Sequence, residues 1–247
     1  MPDRSPRRPL AVIPTYNERD NIVRLIPAVL GADPRLSVLV VDDGSPDGTA
    51  GAVLRCVEQD PSGRVFLLNR GKKTGLGRAY VDGFAWGLGR GHDFIIEMDG
   101  DWSHDPRYLG RMLDLAGEAD VVIGSRYVPG GGTAHWGLPR RLLSRFGSLY
   151  SRCVLGVGIR DFTGGFNGWS AQALRAMDLD SLRSTGYSFQ IELKYRAHRL
   201  GFAHAEFPIV FHERRAGRSK MSVAIALEAL WRVWALRFSG VRAGGRA

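Results

Sequence analysis

Short, mostly apolar runs alternate with helix-like segments along the first half of the chain, and this alternation limits the fold most. The runs lie at residues 10–13, 38–41, 65–68, 94–98 and 121–123. Continuous apolar runs of this length are typical of strands buried on both faces of a parallel sheet. Apolar residues at helical spacing fill residues 21–30, 49–59, 76–88 and 106–115. The sequence therefore predicts an α/β fold, a doubly wound and mostly parallel sheet flanked by helices.

One domain with short ends accounts for the length. A chain of 247 residues with 44% hydrophobic residues is long enough for one sizeable core. We expect a basic disordered arm at residues 1–9, the globular domain at 10–221, and an amphipathic helix and tail at 222–247. After the glycine-rich residues 129–132 we expect a helix, a loop, two more helices and one strand.

The net charge indicates the class of partner, and the cysteines indicate the cell compartment. A net charge of +9 favours an anionic partner, and no nucleic-acid motif accompanies it, so we expect no nucleic acid. Cys56 and Cys153 lie far apart without metal-ligand spacing, which favours a reducing, cytosolic setting. We find neither a signal-peptide pattern nor an apolar run of roughly 18 residues, and we expect a soluble or peripheral protein.

Polar clusters follow four of the predicted strands, at residues 15–18, 42–47, 99–101 and 125–127. In a doubly wound sheet, the carboxyl ends of the strands meet at the edge where ligands bind. Asp99 and Asp101 offer carboxylate oxygens to a divalent cation there. Alternatively, Asp101, Ser103 and Asp105 compete to cap the helix that begins at Pro106, a role that we assign to Asp105.

The other clusters leave two interpretations open. Tyr16 and Glu18 stand where a dinucleotide-binding site needs glycines, which argues against a nicotinamide-dependent enzyme. These two residues either contact a nucleoside or simply pack beside a helix cap at Asn17. Arg126 either binds phosphate oxygens or is a solvated surface arginine. Residues 72–79 lack complete phosphate-loop spacing and favour a helix start.

Five motifs occur in order at the ends of successive elements, at residues 14–18, 41–49, 75–79, 98–101 and 124–127. The set resembles the inverting family-2 glycosyltransferases of GT-A fold. Further matches lie at residues 161–166, 186–192, 206–211, 214 and 217–221. With these, residues 11–221 resemble the dolichol- or polyprenol-phosphate mannose synthases.

The resemblance implies transfer of mannose from GDP-mannose to a polyprenyl phosphate with inversion, assisted by Mg²⁺ or Mn²⁺; UDP-glucose or another nucleotide sugar is the alternative donor. The residues implied at the guanosine are Pro14, Tyr16, Glu18, Val41 and Asp43. Those implied at the diphosphate and metal are Asp99, Gly100, Asp101 and Ser103. Those implied at the phosphates are Arg126, Arg214 and Lys220. Asp161 either orients the acceptor, stabilises positive charge on the sugar, or makes structural hydrogen bonds.

Two positions depart from the pattern of this family. Some members have a metal-binding glutamine where this chain has Ser103, so a hydroxyl or water takes that place. Many members have an arginine where this chain has Asn167, which puts one acceptor-phosphate contact in doubt. A processive synthase is disfavoured because the chain has no Gln-x-x-Arg-Trp motif, and a noncatalytic binding protein leaves the acids after the strands unexplained.

A lipid acceptor requires contact with a bilayer, and residues 140–155 provide a basic amphipathic pattern for it. Leu142, Phe146 and Leu149 are interleaved with arginines there, which favours an anionic membrane surface. Residues 223–238 are apolar on one face and suit the core, a membrane or a partner subunit. We therefore expect a peripheral protein on the cytoplasmic face of the cell membrane, held by such helices or by a separate anchoring protein.

Overall fold

The centre of the fold is a mostly parallel sheet. The computed structural model describes residues 5–182, 184, 186–213 and 223–238. Within that part the main strands are β1 (Pro9–Thr15), β2 (Ser37–Asp42), β3 (Val65–Asn69), β4 (Phe94–Glu97), β5 (Val121–Ser125), β7 (Asn167–Ser170) and β8 (His204–Pro208). They form one seven-stranded sheet in the order β3-β2-β1-β4-β7-β5-β8. Two shorter strands, β6 (Gly132–Thr133) and β9 (Val210–Phe211), pair separately and in parallel.

Helices connect these strands. They are α1 (Arg19–Ala32), α2 (Thr49–Gln59), α3 (Leu76–Gly89), α4 (Leu109–Leu115), α5 (Leu138–Leu155), α6 (Ala171–Ala176), α7 (Tyr187–Arg199) and α8 (Val223–Phe238), with 3₁₀ turns at Pro106–Tyr108 and Leu179–Ser181. The first five predicted strands are all present, and the first four predicted helices lie between them. The predicted α/β fold is therefore confirmed.

The second half of the chain differs from the expectation of a single strand, because its described residues contribute four. Strand β7 inserts between β4 and β5 and runs antiparallel to both. Its sequence, Asn-Gly-Trp-Ser, has one large apolar residue and no apolar run, so it gives no strand signal. Gly168 is needed there because a Cβ atom would lie 2.4 Å from the Phe94 ring.

Helix α3 lies unusually close to the sheet. A Cβ atom on Gly83 would lie 2.4 Å from Cγ1 of Val12, so only glycine permits this approach. Phe84 and Tyr80 of the same helix are buried in the core that covers this face. Helix α3 begins at Leu76, one of the residues that line the cavity described below.

The basic arm is joined to the domain at its carboxyl end. The main-chain amides of Arg7 and Arg8 donate to the Asp93 carboxylate at 2.8 and 3.0 Å, and β1 begins at Pro9. Residues 7–9 are thus part of the folded domain rather than of a disordered arm. No helix in the described part of the chain is long and apolar enough to cross a membrane.

Candidate active site

A cavity of about 610 Å³ lies at the carboxyl edge of the sheet. The residues following β1, β2, β4 and β5 all contribute to its wall, as the topology of the sheet requires. The predicted site residues found there are Pro14, Tyr16, Glu18, Asp43, Asp99, Gly100, Asp101 and Arg126. The structure thus brings together eight residues from four separate segments of the sequence. The size of the cavity suits a small-molecule ligand.

The turn after β2 positions the turn after β1. The side chains of Ser45, Asp47 and Thr49 accept main-chain hydrogen bonds from Asn17, Arg19 and Glu18, at 3.0, 3.1 and 3.1 Å respectively. Asp42 is buried beneath them and accepts from Thr15 Oγ1 at 3.0 Å and from Ser45. Asp42 is therefore structural, and its neighbour Asp43 is the member of the acidic pair that lines the cavity.

Two basic residues that we did not predict lie beside the nucleoside candidates. Arg70 Nη1 donates to Asp43 Oδ1 at 2.8 Å, and Arg70 Nε lies 2.9 Å from the Asp82 carboxylate. Burial raises the pKa of Asp43, against the opposing effect of the Arg70 charge. The Lys73 ammonium lies 3.6 Å from the centre of the Tyr16 ring. This end of the cavity therefore combines carboxylates, an aromatic ring and fixed positive charge.

Asp99 and Asp101 form the acidic wall of the cavity. The Asp99 side chain is 28% exposed, whereas Asp101 is only 6% exposed and its Oδ1 accepts from the Ser103 amide at 3.0 Å. Ser103 lies behind the wall, and its buried hydroxyl has no hydrogen-bond partner among the described residues. Asp105 caps the 3₁₀ turn by accepting from the Arg107 amide at 3.0 Å, so its predicted capping role is confirmed.

His104 supports the acidic wall and was not predicted. Its Nδ1 accepts from the main-chain amide of Asp99 at 3.0 Å, so the ring proton is carried on Nε2. Burial lowers the pKa of His104 to about 4, and the ring stacks on Phe166 with 5.1 Å between centroids. The imidazole is thus a neutral group that fixes the backbone at Asp99.

Arg126 is held in place by Asp161. Arg126 Nε and Nη2 donate to the two carboxylate oxygens of Asp161 at 2.8 and 2.7 Å, and Nη2 also donates to Thr163 Oγ1 at 2.9 Å. Burial opposes the charge on Asp161, but the Arg126 guanidinium outweighs it and holds the pKa of Asp161 down to about 2. Asp161 is fully buried and does not line the cavity, so it positions Arg126 rather than touching a ligand.

An arginine–tryptophan–arginine stack forms the other end of the cavity. The guanidinium carbons of Arg126 and Arg140 lie 5.6 and 4.0 Å from the centre of the Trp136 ring. Arg140 Nη1 donates to Glu213 at 3.0 Å, while its buried Nε has no partner among the described residues. Arg140 belongs to the basic amphipathic pattern at residues 140–155, and in the structure it is also part of the cavity wall.

Several predicted site residues do not reach the cavity wall. Val41 is fully buried in the core, so its side chain makes no cavity contact, and Ser103 and Asp161 lie behind the wall. Arg214 and Lys220 lie outside the described residues, as do residues 217–221. Asn167 is also fully buried and is absent from the wall.

Asn167 belongs to a buried polar cluster beneath the cavity. Its Nδ2 lies 2.8 Å from Glu97 Oε2 and 2.9 Å from Gln190 Oε1, and Trp169 Nε1 donates to Glu97 at 3.2 Å. Burial raises the pKa of Glu97 to about 7, against the hydrogen bonds that lower it. Gln190 alone of these four residues lines the cavity, so the cluster supports the floor rather than binding a ligand.

Comparison with known proteins gives a consistent family assignment. The model described as "Glycosyl transferase family 2" matches residues 10–177. An undecaprenyl-phosphate mannosyltransferase of Micrococcus luteus is 47% identical over 240 residues, covering 96% of this chain and 98% of the relative. A polyprenol monophosphomannose synthase of Mycolicibacterium smegmatis is 46% identical over 245 residues, covering 98% and 92%.

A solved structure supports the fold. The glucosyl-3-phosphoglycerate synthase from Mycobacterium tuberculosis, crystallised with Mn²⁺, UDP-glucose and phosphoglyceric acid, superposes with a TM-score of 0.70. It covers 94% of this chain and 80% of its own at 17% identity, which establishes likeness of fold alone.

Proposed function

The chain belongs to glycosyl transferase family 2, and on that premise we propose that it transfers mannose from GDP-mannose to a polyprenyl phosphate with inversion. The product is polyprenyl-phosphate β-mannose. Two relatives with nearly full-length matches are named for a mannosyltransferase and a mannose synthase acting on such lipids. The observation that carries the proposal is one cavity with an acidic wall, Asp99 and Asp101, and a basic end, Arg126 and Arg140.

The nucleoside end supports GDP-mannose over the alternative donor, UDP-glucose. Asp43 and Glu18 both line this end and accept hydrogen bonds. Guanine presents donors from both its ring N–H and its amino group, whereas uracil presents one N–H. The hydrogen bond from Arg70 to Oδ1 of Asp43 fixes the orientation of this carboxylate, so that it does not have to be ordered when the nucleotide base binds. Tyr16 supplies an aromatic surface beside them.

A divalent cation, Mg²⁺ or Mn²⁺, fits the acidic wall. The described residues contain no group of three or more His, Cys, Asp or Glu side chains suited to a metal. Two carboxylates are nevertheless sufficient for a cation that takes its remaining ligands from substrate phosphates and water. The Ser103 hydroxyl is buried behind the wall, without a hydrogen-bond partner among the described residues, so we assign the corresponding ligand position to water. When bound, such a cation neutralises the negative charge of the leaving nucleoside diphosphate.

The basic end suits the acceptor phosphate. A lipid phosphate is already ionised at neutral pH, so the reaction needs positioning and charge stabilisation more than a strong base. Arg126 and Arg140 hold this phosphate, and Asp161 keeps Arg126 aligned. An acceptor oxygen forms its bond to the anomeric carbon as the bond to GDP breaks. One displacement therefore converts the α-linked donor into a β-linked product.

We also propose that α5 and α8 dock the protein on the anionic, cytoplasmic surface of the cell membrane. Phe146 of α5 is 55% exposed and Trp234 of α8 is 48% exposed. The two helices contact each other, since Tyr150 Oη donates to the Leu230 carbonyl at 3.1 Å. Exposed arginines of α5 flank the apolar side chains and suit acidic lipid headgroups. A separate anchoring protein is the alternative occupant of this surface.

The double variant Phe146→Glu/Trp234→Glu is expected to abolish cosedimentation with vesicles that contain phosphatidylglycerol. Docking would then require two charged glutamates, in place of two aromatic rings, to enter the membrane surface. Leu54→Glu is the matched control, since Leu54 is 50% exposed on α2. It should cosediment like the unaltered chain. Equal binding of all three proteins would contradict membrane docking through α5 and α8.

The transfer reaction itself is tested with purified protein, a polyprenyl phosphate, Mg²⁺ or Mn²⁺, and labelled GDP-mannose or UDP-glucose. We expect label to enter the organic phase with GDP-mannose, and only when polyprenyl phosphate is present. Label that enters only with UDP-glucose would contradict the donor assignment. An absence of transfer from any nucleotide sugar would favour a binding function.

A further inference from the structure

Lys194 lies fully buried behind the basic end of the cavity, on α7, and does not line the cavity itself. Its ammonium donates to the main-chain carbonyls of Asp161 and Gly164, each at 2.8 Å. The Phe162 carbonyl lies 3.4 Å from the same nitrogen. Three carbonyls of one turn therefore converge on one cation that has three N–H donors.

The front of the same turn forms part of the site. Thr163 and Gly165 line the cavity, and Thr163 Oγ1 accepts from Arg126 Nη2 at 2.9 Å. Asp161 begins the turn and holds Arg126 through both carboxylate oxygens. A displacement of the turn would thus move the guanidinium that we assign to the acceptor phosphate.

Charge also couples Lys194 to the site. Burial lowers the pKa of Lys194 to about 8, while the nearby Asp161 and Glu97 carboxylates act in the opposite direction. Arg126 carries a second positive charge, 2.7 Å from the Asp161 carboxylate, and it too lowers the pKa of Lys194. The buried Asp161 carboxylate therefore interacts electrostatically with two cations, Arg126 and Lys194.

We propose that Lys194 is a positioning residue for the transfer reaction. It fixes the turn at residues 161–165 by binding its carbonyls and, through Asp161, sets the position of the Arg126 guanidinium for an acceptor phosphate. This role rests on the proposed function, because it requires that Arg126 bind the acceptor. A purely structural role, in which Lys194 only balances buried charge, is the rival explanation.

Lys194→Met is the variant that separates the two roles, because methionine fills a similar volume without charge or donors. We expect kcat/KM for polyprenyl phosphate to fall at least ten-fold at a temperature where the variant is fully folded. The Kd for GDP should change less than two-fold, since we assign GDP to Tyr16 and Asp43, which follow β1 and β2 and do not belong to this turn. Lys194→Arg, which keeps the charge and the donors, should recover part of the lost activity.

Arg64→Met is the matched control for losing a cation that binds carbonyls. Arg64 Nη1 donates to the Pro34 and Leu36 carbonyls at 3.0 and 3.1 Å, and Arg64 lies just before β3, at the edge of the sheet away from the cavity. This variant should keep the kcat/KM of the unaltered chain.

A second readout does not depend on turnover. In the unaltered chain Arg126 Nε donates to Asp161 at 2.8 Å, and its N–H signal is expected to be shifted and protected in NMR spectra. Lys194→Met should shift and broaden that signal. The NMR measurement tests the effect of Lys194 on Arg126 even when no transfer is detected. An absence of transfer would contradict the proposed function, but not this effect.

Unchanged acceptor kcat/KM or an unchanged Arg126 signal in Lys194→Met would overturn the positioning role. The positioning role would also be overturned if Lys194→Met lost donor and acceptor binding equally and in proportion to the fraction of the variant that is unfolded. Lys194→Gln takes its place in both measurements if the methionine variant does not fold.

Discussion

Asp101→Asn is expected to lower kcat/KM for mannose transfer by about 10²- to 10³-fold, the usual effect of removing a preorganised charge at the reacting groups. The fold should persist, because the amide oxygen of asparagine still accepts from the Ser103 amide, as Asp101 does at 3.0 Å. The loss arises because the acidic wall keeps one carboxylate, that of Asp99, for the cation. Transfer rates measured across a Mn²⁺ titration, with circular dichroism of the same samples, give the result.

Asp105→Asn is the control for this prediction. Asp105 belongs to the same loop and accepts from the Arg107 amide at 3.0 Å, but it does not line the cavity. Its replacement should leave both turnover and the Mn²⁺ dependence near those of the unaltered chain. An Asp101→Asn protein with an unchanged rate and unchanged metal dependence would show that Asp101 is not the ligand proposed here.

Asp161→Asn is expected to have the largest effect on stability, lowering the free energy of unfolding by roughly 3–5 kcal/mol. Asp161 accepts from Arg126 Nε, Nη2 and the Arg126 amide, and from the Gly164 amide, all within 2.9 Å. Asparagine replaces one acceptor oxygen by an NH₂ group and leaves Arg126 buried without its counter-charge. Urea unfolding measures the loss, and acceptor kcat/KM should fall with it because Arg126 loses its alignment.

The same pair predicts how stability depends on pH. The pKa of Asp161 is lowered from its ordinary value of 3.8 to about 2, so its stabilising effect is complete above pH 4 and is lost as the pH falls through about 2. The difference in unfolding free energy between the unaltered chain and Asp161→Asn should therefore shrink by about 2 kcal/mol over that interval. A difference that stays constant between pH 5 and pH 2, measured at a temperature where both proteins fold, would contradict the charged pair.

The sequence allowed prediction of those parts of the fold and site that depend on local pattern. Apolar runs located β1 to β5, and the topology of such sheets implied that Tyr16, Asp43, Asp101 and Arg126 would meet at one edge. Strand β7 has no comparable pattern, because its pairing to β4 depends on tertiary contacts and on a glycine at residue 168. It could not be predicted on physical grounds from its own four residues.

The contacts that complete the site join residues far apart in sequence. Arg126 and Asp161 are 35 residues apart, and Lys194 lies 33 residues beyond Asp161. A basic residue among 34 lysines and arginines carries no local sign of which carboxylate or carbonyl it will meet. For that reason Arg70, Arg140 and Lys194 were identified only from the structure.

The most direct test of the central claim is the chemical identity of the product. Purified protein is incubated with GDP-mannose labelled with ¹³C at the anomeric carbon, a polyprenyl phosphate and Mn²⁺, and the lipid extract is examined by NMR. We predict a mannose carbon bonded to phosphate oxygen in the β configuration, absent from a parallel Asp101→Asn reaction of equal duration. An α-linked product, or free mannose without any mannosyl lipid, would contradict a single displacement by the acceptor phosphate in this cavity.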